Sequence, residues 1–182
     1  MLEKDIEKVL VSEEEIKQII KNLSVQIFRD YHDKYPLVVG LLKGCVPFMS
    51  DLLKKLDMHL EVAFMNVSSY HGGIESTGDV KIDMDLGTAV KGRHVLLTED
   101  IVDTGRTINS VVDLLKYRGA LSVKVVTLID KPAGRVTEFN PEYIGIEIPK
   151  VFVVGYGLDY EERYRNLPYV GVLKPEIYTT KE

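Results

Sequence analysis

Five short apolar runs, 37–42, 60–67, 95–98, 123–129 and 151–154, constrain the fold more than any other feature of the chain. Each has the length of a strand, and each is largely apolar on consecutive positions, the pattern of strands covered on both faces. Two of them run into helical patterns, one from about Pro47 to Leu56 and one marked by Ile108, Val111, Val112 and Leu115. That order predicts an α/β fold with a mainly parallel central sheet flanked by helices. Further strands are expected at Tyr143 to Ile148 and Tyr169 to Leu173, while Val80, Ile82 and Met84 alternate with Lys81, Asp83 and Asp85 as a half-exposed strand does. Ahead of them all, Ser12 and Glu15 form a capping box for a helix whose apolar face is Ile16, Ile19, Ile20, Leu23 and Ile27.

With 182 residues, 45% of them hydrophobic, the chain has the length and apolar content of one domain, expected to span 1–182. Its 23 basic and 28 acidic residues leave a net charge of −5, which gives no global basic field for nucleic acid or an anionic membrane. The single cysteine, Cys45, excludes an internal disulfide, and no apolar run reaches the length of a bilayer or the make-up of a signal peptide. A cytoplasmic enzyme is the expectation.

Chemistry concentrates at 95–107. The run Val95-Leu96-Leu97 leads to two carboxylates, Glu99 and Asp100, and then to Asp103-Thr104-Gly105-Arg106-Thr107 at the start of a helix. Gly105 lets backbone approach a ligand closely, the Thr hydroxyls donate, and the helix start offers unpaired N–H groups, a combination suited to a phosphomonoester. Glu99 and Asp100 would repel a phosphate and suit hydroxyls or a divalent metal. A ribose 5-phosphate group meets both requirements. Lys43 and Lys131 stand at strand carboxyl ends, where open α/β sheets bind ligands. Three features carry less. Asp83-Met84-Asp85 belongs to the solvated side of an alternating strand, Gly155-Tyr156-Gly157 does not open a helix as a dinucleotide loop does, and Cys45 has no His or basic cluster adjoining it in sequence and is expected to pack.

The string 95–107 closely resembles the phosphoribosyl-pyrophosphate (PRPP) motif of the type I phosphoribosyltransferases. Four other segments match in order: Leu42-Lys43-Gly44, Ser68-Ser69-Tyr70, Asp130-Lys131-Pro132, and Phe152 to Asp159 with Tyr164 to Pro168. Over nearly its whole length the chain is similar to the bacterial hypoxanthine-guanine phosphoribosyltransferase family. The resemblance implies a small hood formed by the chain ends, Mg²⁺ as cofactor, PRPP and 6-oxopurine bases as substrates, and a homodimer or homotetramer. It implies that Asp103, Thr104, Gly105, Arg106 and Thr107 hold the 5′-phosphate, with Asp103 also facing N7 of the purine as the catalytic residue. Glu99 and Asp100 would hold the ribose hydroxyls and their metal, and Lys43, Gly44 and Arg165 the pyrophosphate, with a cis peptide between Lys43 and Gly44. Lys131, Phe152, Val153 and Asp159 would form the purine site, Asp159 also serving a second metal, and Ser69 and Tyr70 would belong to a closing lid. Arg106 sits at a variable position of the motif.

Two other readings stay open at this level. One is a regulator that keeps the fold to sense PRPP, against which the acidic charge counts; the other is an enzyme for another base, against which the Lys131 and Phe152 segments count, least firmly for xanthine. A site holding two phosphate groups and a guanine would also offer much to a guanosine tetraphosphate alarmone, so inhibition by one is an expectation.

Overall fold

After a single 3-10 turn at Leu2–Asp5 comes an element that no sequence pattern announces: β1 (Ile6–Val11), a strand of the small sheet described below. The computed structural model describes residues 2–69 and 80–179, so the expected lid residue Tyr70 lies outside the described residues. After β1, the Ser12 hydroxyl accepts from the N–H of Glu15 while Glu15 accepts from the N–H of Ser12, and this capping box starts α1 (Glu13–Tyr31). Ile16, Ile20, Leu23 and Ile27 are buried, as their spacing predicts. Then follow β2 (Leu37–Leu42), α2 (Val46–Leu53), β3 (Glu61–Ser69), β4 (Val80–Met84), β5 (His94–Val102), α3 (Arg106–Tyr117), β6 (Ser122–Asp130), β7 (Tyr143–Glu147), β8 (Val153–Val154), β9 (Val170–Leu173) and the short α4 (Pro175–Tyr178).

The main sheet has six strands in the order β4-β3-β2-β5-β6-β7, all parallel except the edge strand β4. Centrally placed β2 is apolar on both faces because both are covered: Val38 packs with α1 and α2, Val39 with α3. A Cβ on Gly40 would meet Met49 Sδ at 2.5 Å and Cys45 Sγ at 2.9 Å, so glycine there lets α2 lie close over the sheet. From β2 the chain moves outward to β3; from β5 it moves the other way, to β6 and β7. The order therefore reverses between β2 and β5, and a crevice opens beyond the carboxyl ends of those two strands.

The run 151–154 does not join this sheet. Only Val153 and Val154 are strand, as β8, and they pair antiparallel with β9, which pairs antiparallel with β1. The fifth parallel strand is β7, whose Tyr143 and Ile144 register with Val126 and Thr127 of β6. The three short strands and α4 make the hood. In β5 the carboxylates are not beyond the strand end but inside it: pairing with β6 continues through Glu99↔Thr127 to Val102↔Asp130. α2 stops at Leu53, short of Leu56, where Lys54 and Lys55 begin a turn. Asp85 is more than a solvated charge, since both of its oxygens accept from Arg118 at 2.6 and 2.7 Å just past α3.

Candidate active site

The end of β5, the following turn and the start of α3 enclose a cavity of about 220 Å³ lined by Glu99, Asp103, Thr104, Gly105, Thr107 and Ile108. Gly105 is the residue before α3 and has φ +80, a left-handed conformation that favours glycine. Its place is also too tight for a side chain, because a Cβ would meet Thr137 Oγ1 at 2.6 Å. The first N–H groups of α3 face this turn, with that of Arg106 donating to Thr104 Oγ1 at 3.4 Å. Thr104 and Arg106 are exposed and Asp103 and Thr107 half-buried, so the turn is open to an incoming anion.

At the other side of the crevice stand the turn after β2 and the hood. The cis peptide is Leu42–Lys43, one bond earlier than the Lys43–Gly44 bond that the resemblance implied, so the turn was located but the wrong bond within it was named. Two backbones and a carboxylate meet here with no room between them. A Cβ on Gly44 would lie 1.7 Å from Asp100 Oδ2, and one on Gly157, at φ +103, would lie 2.0 Å from the Gly44 carbonyl oxygen. Sequence reasoning named Gly44 but gave Gly157 no role; its positive φ and close approach leave no mark in the sequence beyond a glycine. Arg165 then reaches across, donating through Nη1 to the Gly157 carbonyl at 2.8 Å and pairing through Nη2 with Asp159 at 2.9 Å and Glu162 at 3.0 Å. Lys43 pairs with the other Glu162 oxygen at 3.0 Å. These partners, first among them Lys43, hold the Glu162 carboxyl below its usual range. Arg165 Nε is buried without an acceptor among the described residues.

Glu99 and Asp100 are adjacent, and burial pushes both carboxyls up, Glu99 well above the usual range with the Asp100 charge adding to the effect. Two carboxylates held this way call for a proton or a cation between them, and as hard oxygen donors they fit a divalent ion such as Mg²⁺. Cys45, by contrast, is buried with its thiol pushed up to about 12, which makes it a packing residue.

The third wall is the turn after β6. Lys131 Nζ donates to Asp103 Oδ2 at 2.7 Å, and its side chain is 10% exposed. The segment behind it braces the phosphate-sized turn. The Val136 N–H donates to the Thr104 carbonyl at 3.0 Å, and Arg135 donates to the carbonyls of Asp103 at 2.7 Å, Val102 at 2.9 Å and Phe139 at 2.9 Å while pairing with the buried Asp130 carboxylate. Gly134 lies so close that a Cβ would sit 1.8 Å from Asp103 Oδ1. Sequence reasoning missed Arg135, because a lone arginine in a polar loop reads as solvated. In the hood, Phe152 is 40% exposed, its ring 5.0 Å from that of Tyr178 and edge-on to Tyr160 at 5.8 Å. Val153 is buried in β8, the outer strand of the small sheet.

Compared with known proteins, residues 9–161 match the phosphoribosyl transferase domain family. The chain is 60% identical over 177 residues to hypoxanthine-guanine phosphoribosyltransferase of Lactococcus lactis, covering 97% of this chain and 96% of that protein. A crystal structure of a hypoxanthine phosphoribosyltransferase from Staphylococcus aureus superposes with a TM-score of 0.95 at 51% identity, covering 98% of this chain and 97% of that one. A mutant hypoxanthine phosphoribosyltransferase from Trypanosoma cruzi, complexed with the product IMP, superposes with a TM-score of 0.90 at 37% identity over 96% of this chain and 95% of that one.

Proposed function

Since the chain belongs to the phosphoribosyltransferase family, and within it to the hypoxanthine-guanine phosphoribosyltransferases, we propose how its residues divide the work of that reaction. The protein is a purine salvage enzyme that transfers the 5-phosphoribosyl group of PRPP to hypoxanthine or guanine, giving IMP or GMP and pyrophosphate. Departure of pyrophosphate leaves positive charge on the ribose ring and gathers negative charge on the leaving group. Each part of the crevice answers one of these demands.

The turn Thr104 to Thr107 and the start of α3 hold the 5′-phosphate through backbone N–H groups and hydroxyls. Glu99 and Asp100 would hold the ribose hydroxyls together with Mg²⁺, and Asp159 would serve a second ion. When bound, Mg²⁺ neutralises the charge that gathers on the pyrophosphate. Lys43, the Gly44 backbone and Arg165 hold that group through charge-assisted bonds. Phe152 stacks on the base, Val153 meets its edge through the backbone, and Lys131 donates to O6. Asp103 faces N7 and accepts the proton there as the bond to ribose forms. The observation that carries this reading is the 2.7 Å contact between Lys131 and Asp103, which ties the base-reading turn to the phosphate turn at a single carboxylate.

Ser69 and Tyr70 belong, on this reading, to a lid that keeps water from the ring cation. Residues 1–182 form one phosphoribosyltransferase domain, supported by a family match that reaches from β1 into the hood. Exposed apolar side chains at Val46, Val62, Phe64 and Met84 favour a homodimer or homotetramer. No helix among the described residues is long and apolar enough to cross a membrane, and we assign the enzyme to the cytoplasm, with guanosine tetraphosphate as an inhibitor that competes for the same crevice. Purified protein given PRPP, Mg²⁺ and a panel of bases, with products identified by mass, tests the function: IMP and GMP are expected. AMP formed from adenine as readily as IMP from hypoxanthine would overturn the base assignment.

A further inference from the structure

Resting on the assignment of Lys43 and Arg165 to pyrophosphate, we propose that Glu162 is a counter-anion built into the leaving-group site. Its carboxylate stands between the two cations where the oxyanions of pyrophosphate bind, and it must swing out before they do. It thereby sets how tightly pyrophosphate is held.

The geometry is that of a bridging anion. One Glu162 oxygen pairs with Lys43 Nζ at 3.0 Å and the other with Arg165 Nη2 at 3.0 Å, joining the turn after β2 to the hood. The backbone is shaped for it. Glu161 at φ +51, Glu162 at +63 and Tyr164 at +75 are all left-handed without being glycine, a conformation that L side chains adopt at a cost. The Glu162 N–H donates to Asp159 Oδ2 at 2.9 Å, which fixes the turn against another residue of the same site. Neighbouring Glu161, in the same turn, pairs with Arg163 instead, at 2.8 Å.

The pair is also exchangeable. The Lys43 and Glu162 side chains are 60% and 63% exposed, so the ion pair is weak and adds little to the fold. Arg165 retains a buried Nε without an acceptor among the described residues, a donor the single carboxylate does not satisfy. Pyrophosphate brings more charge and more acceptor oxygens than one carboxylate and displaces it. With the site empty, Glu162 keeps two like charges close to each other; with pyrophosphate bound, it is a competitor for them.

The test is calorimetric titration with pyrophosphate in excess Mg²⁺. Glu162→Gln is expected to bind roughly two- to tenfold tighter than wild type, since the ion pairs of Glu162 with Lys43 and Arg165 no longer have to be broken. The product-inhibition constant of pyrophosphate is expected to fall by the same factor, with an unchanged thermal midpoint. Glu161→Gln makes the same change in net charge without touching Lys43 or Arg165, and its affinity is expected to stay that of wild type. Unchanged or weaker binding in Glu162→Gln, or equal tightening in Glu161→Gln, would overturn the proposal. Lys43→Ala separates it from the reading beneath: weaker pyrophosphate binding there with no tightening in Glu162→Gln sinks the counter-anion alone, whereas unchanged affinity in Lys43→Ala sinks the pyrophosphate assignment and the counter-anion with it.

Discussion

Replacing Arg135 with alanine is expected to damage the protein more than any change to the exposed charges around it. Its side chain is 12% exposed and that of its partner Asp130 only 4%, so the alanine variant leaves a buried carboxylate unpaired and frees the carbonyls of Val102, Asp103 and Phe139. Removing one partner of a buried pair costs about 3–5 kcal/mol. For a chain of this size that lowers the thermal midpoint by about 6–20 °C. Urea unfolding measures the loss directly, and adding Asp130→Asn to Arg135→Ala is expected to recover a good part of it, because the residue left behind is then neutral. Arg135→Lys separates fold from chemistry. A lysine still pairs with Asp130, but its single nitrogen cannot span the carbonyls that the guanidinium fork holds, so the turn carrying Asp103 loosens. Turnover is expected to fall roughly ten- to a hundredfold with most of the stability kept. An alanine variant within about 1 kcal/mol of wild type, or a lysine variant with full turnover, would refute the reasoning.

Three other outcomes are expected. Lys131→Ala narrows the preference for hypoxanthine over adenine, mainly by weakening hypoxanthine, because an ammonium offers O6 a charge-assisted bond and offers the adenine amine only another donor; relative kcat/KM values for the two bases measure it. Gly44→Ala places a carbon 1.7 Å from Asp100 Oδ2, so the turn or the carboxylate must move, and the KM for PRPP is expected to rise at least about tenfold while the protein still folds. Glu99→Gln changes the pH dependence of stability in metal-free buffer. The folded carboxyl of Glu99 is held above its ordinary 4.5, so its contribution is present in full below that pH and is lost as pH rises through the higher folded value. The glutamine variant is therefore expected to lose less thermal stability than wild type between mildly acidic and mildly alkaline pH, while its Mg²⁺-supported turnover falls; parallel midpoint curves for the two proteins would contradict the raised carboxyl.

What could be read from the sequence followed the density of apolar residues. β2, β5 and β6 are buried on both faces, so their runs stood out, and the residues at their carboxyl ends, Lys43, Glu99, Asp100, Asp103 and Lys131, could be placed at one end of the sheet. The signal failed where pairing rather than apolar content makes a strand. Thr98, Glu99 and Asp100 end the apolar pattern, yet β5 continues through them because β6 lies alongside. β1 alternates too weakly to be noticed, and β8 keeps only two residues of a four-residue apolar run because its partner is the short β9. Arg135, Glu162 and Gly157 were missed for another reason: what they do depends on partners many positions away, and no local pattern distinguishes a bracing arginine or a bridging glutamate from a solvated one.

The pairing of β1 with β9 bears on the order in which the molecule assembles. Ile6 stands opposite Leu173, and the Lys174 N–H donates to the Asp5 carbonyl at 2.9 Å, so this small sheet joins segments nearly the whole chain apart. Closing so long a loop is unfavourable until the intervening segments are already packed. The parallel sheet can form from neighbouring units, β2 with β3 and β5 with β6, whereas the sheet that carries Val153 and adjoins Phe152 is complete only when the distant β1 docks on β9. A partly folded chain can thus present a formed phosphate turn while its base-stacking wall is still missing, and hydrogen-exchange protection is expected to reach β5 and β6 before β1 and β9 during refolding.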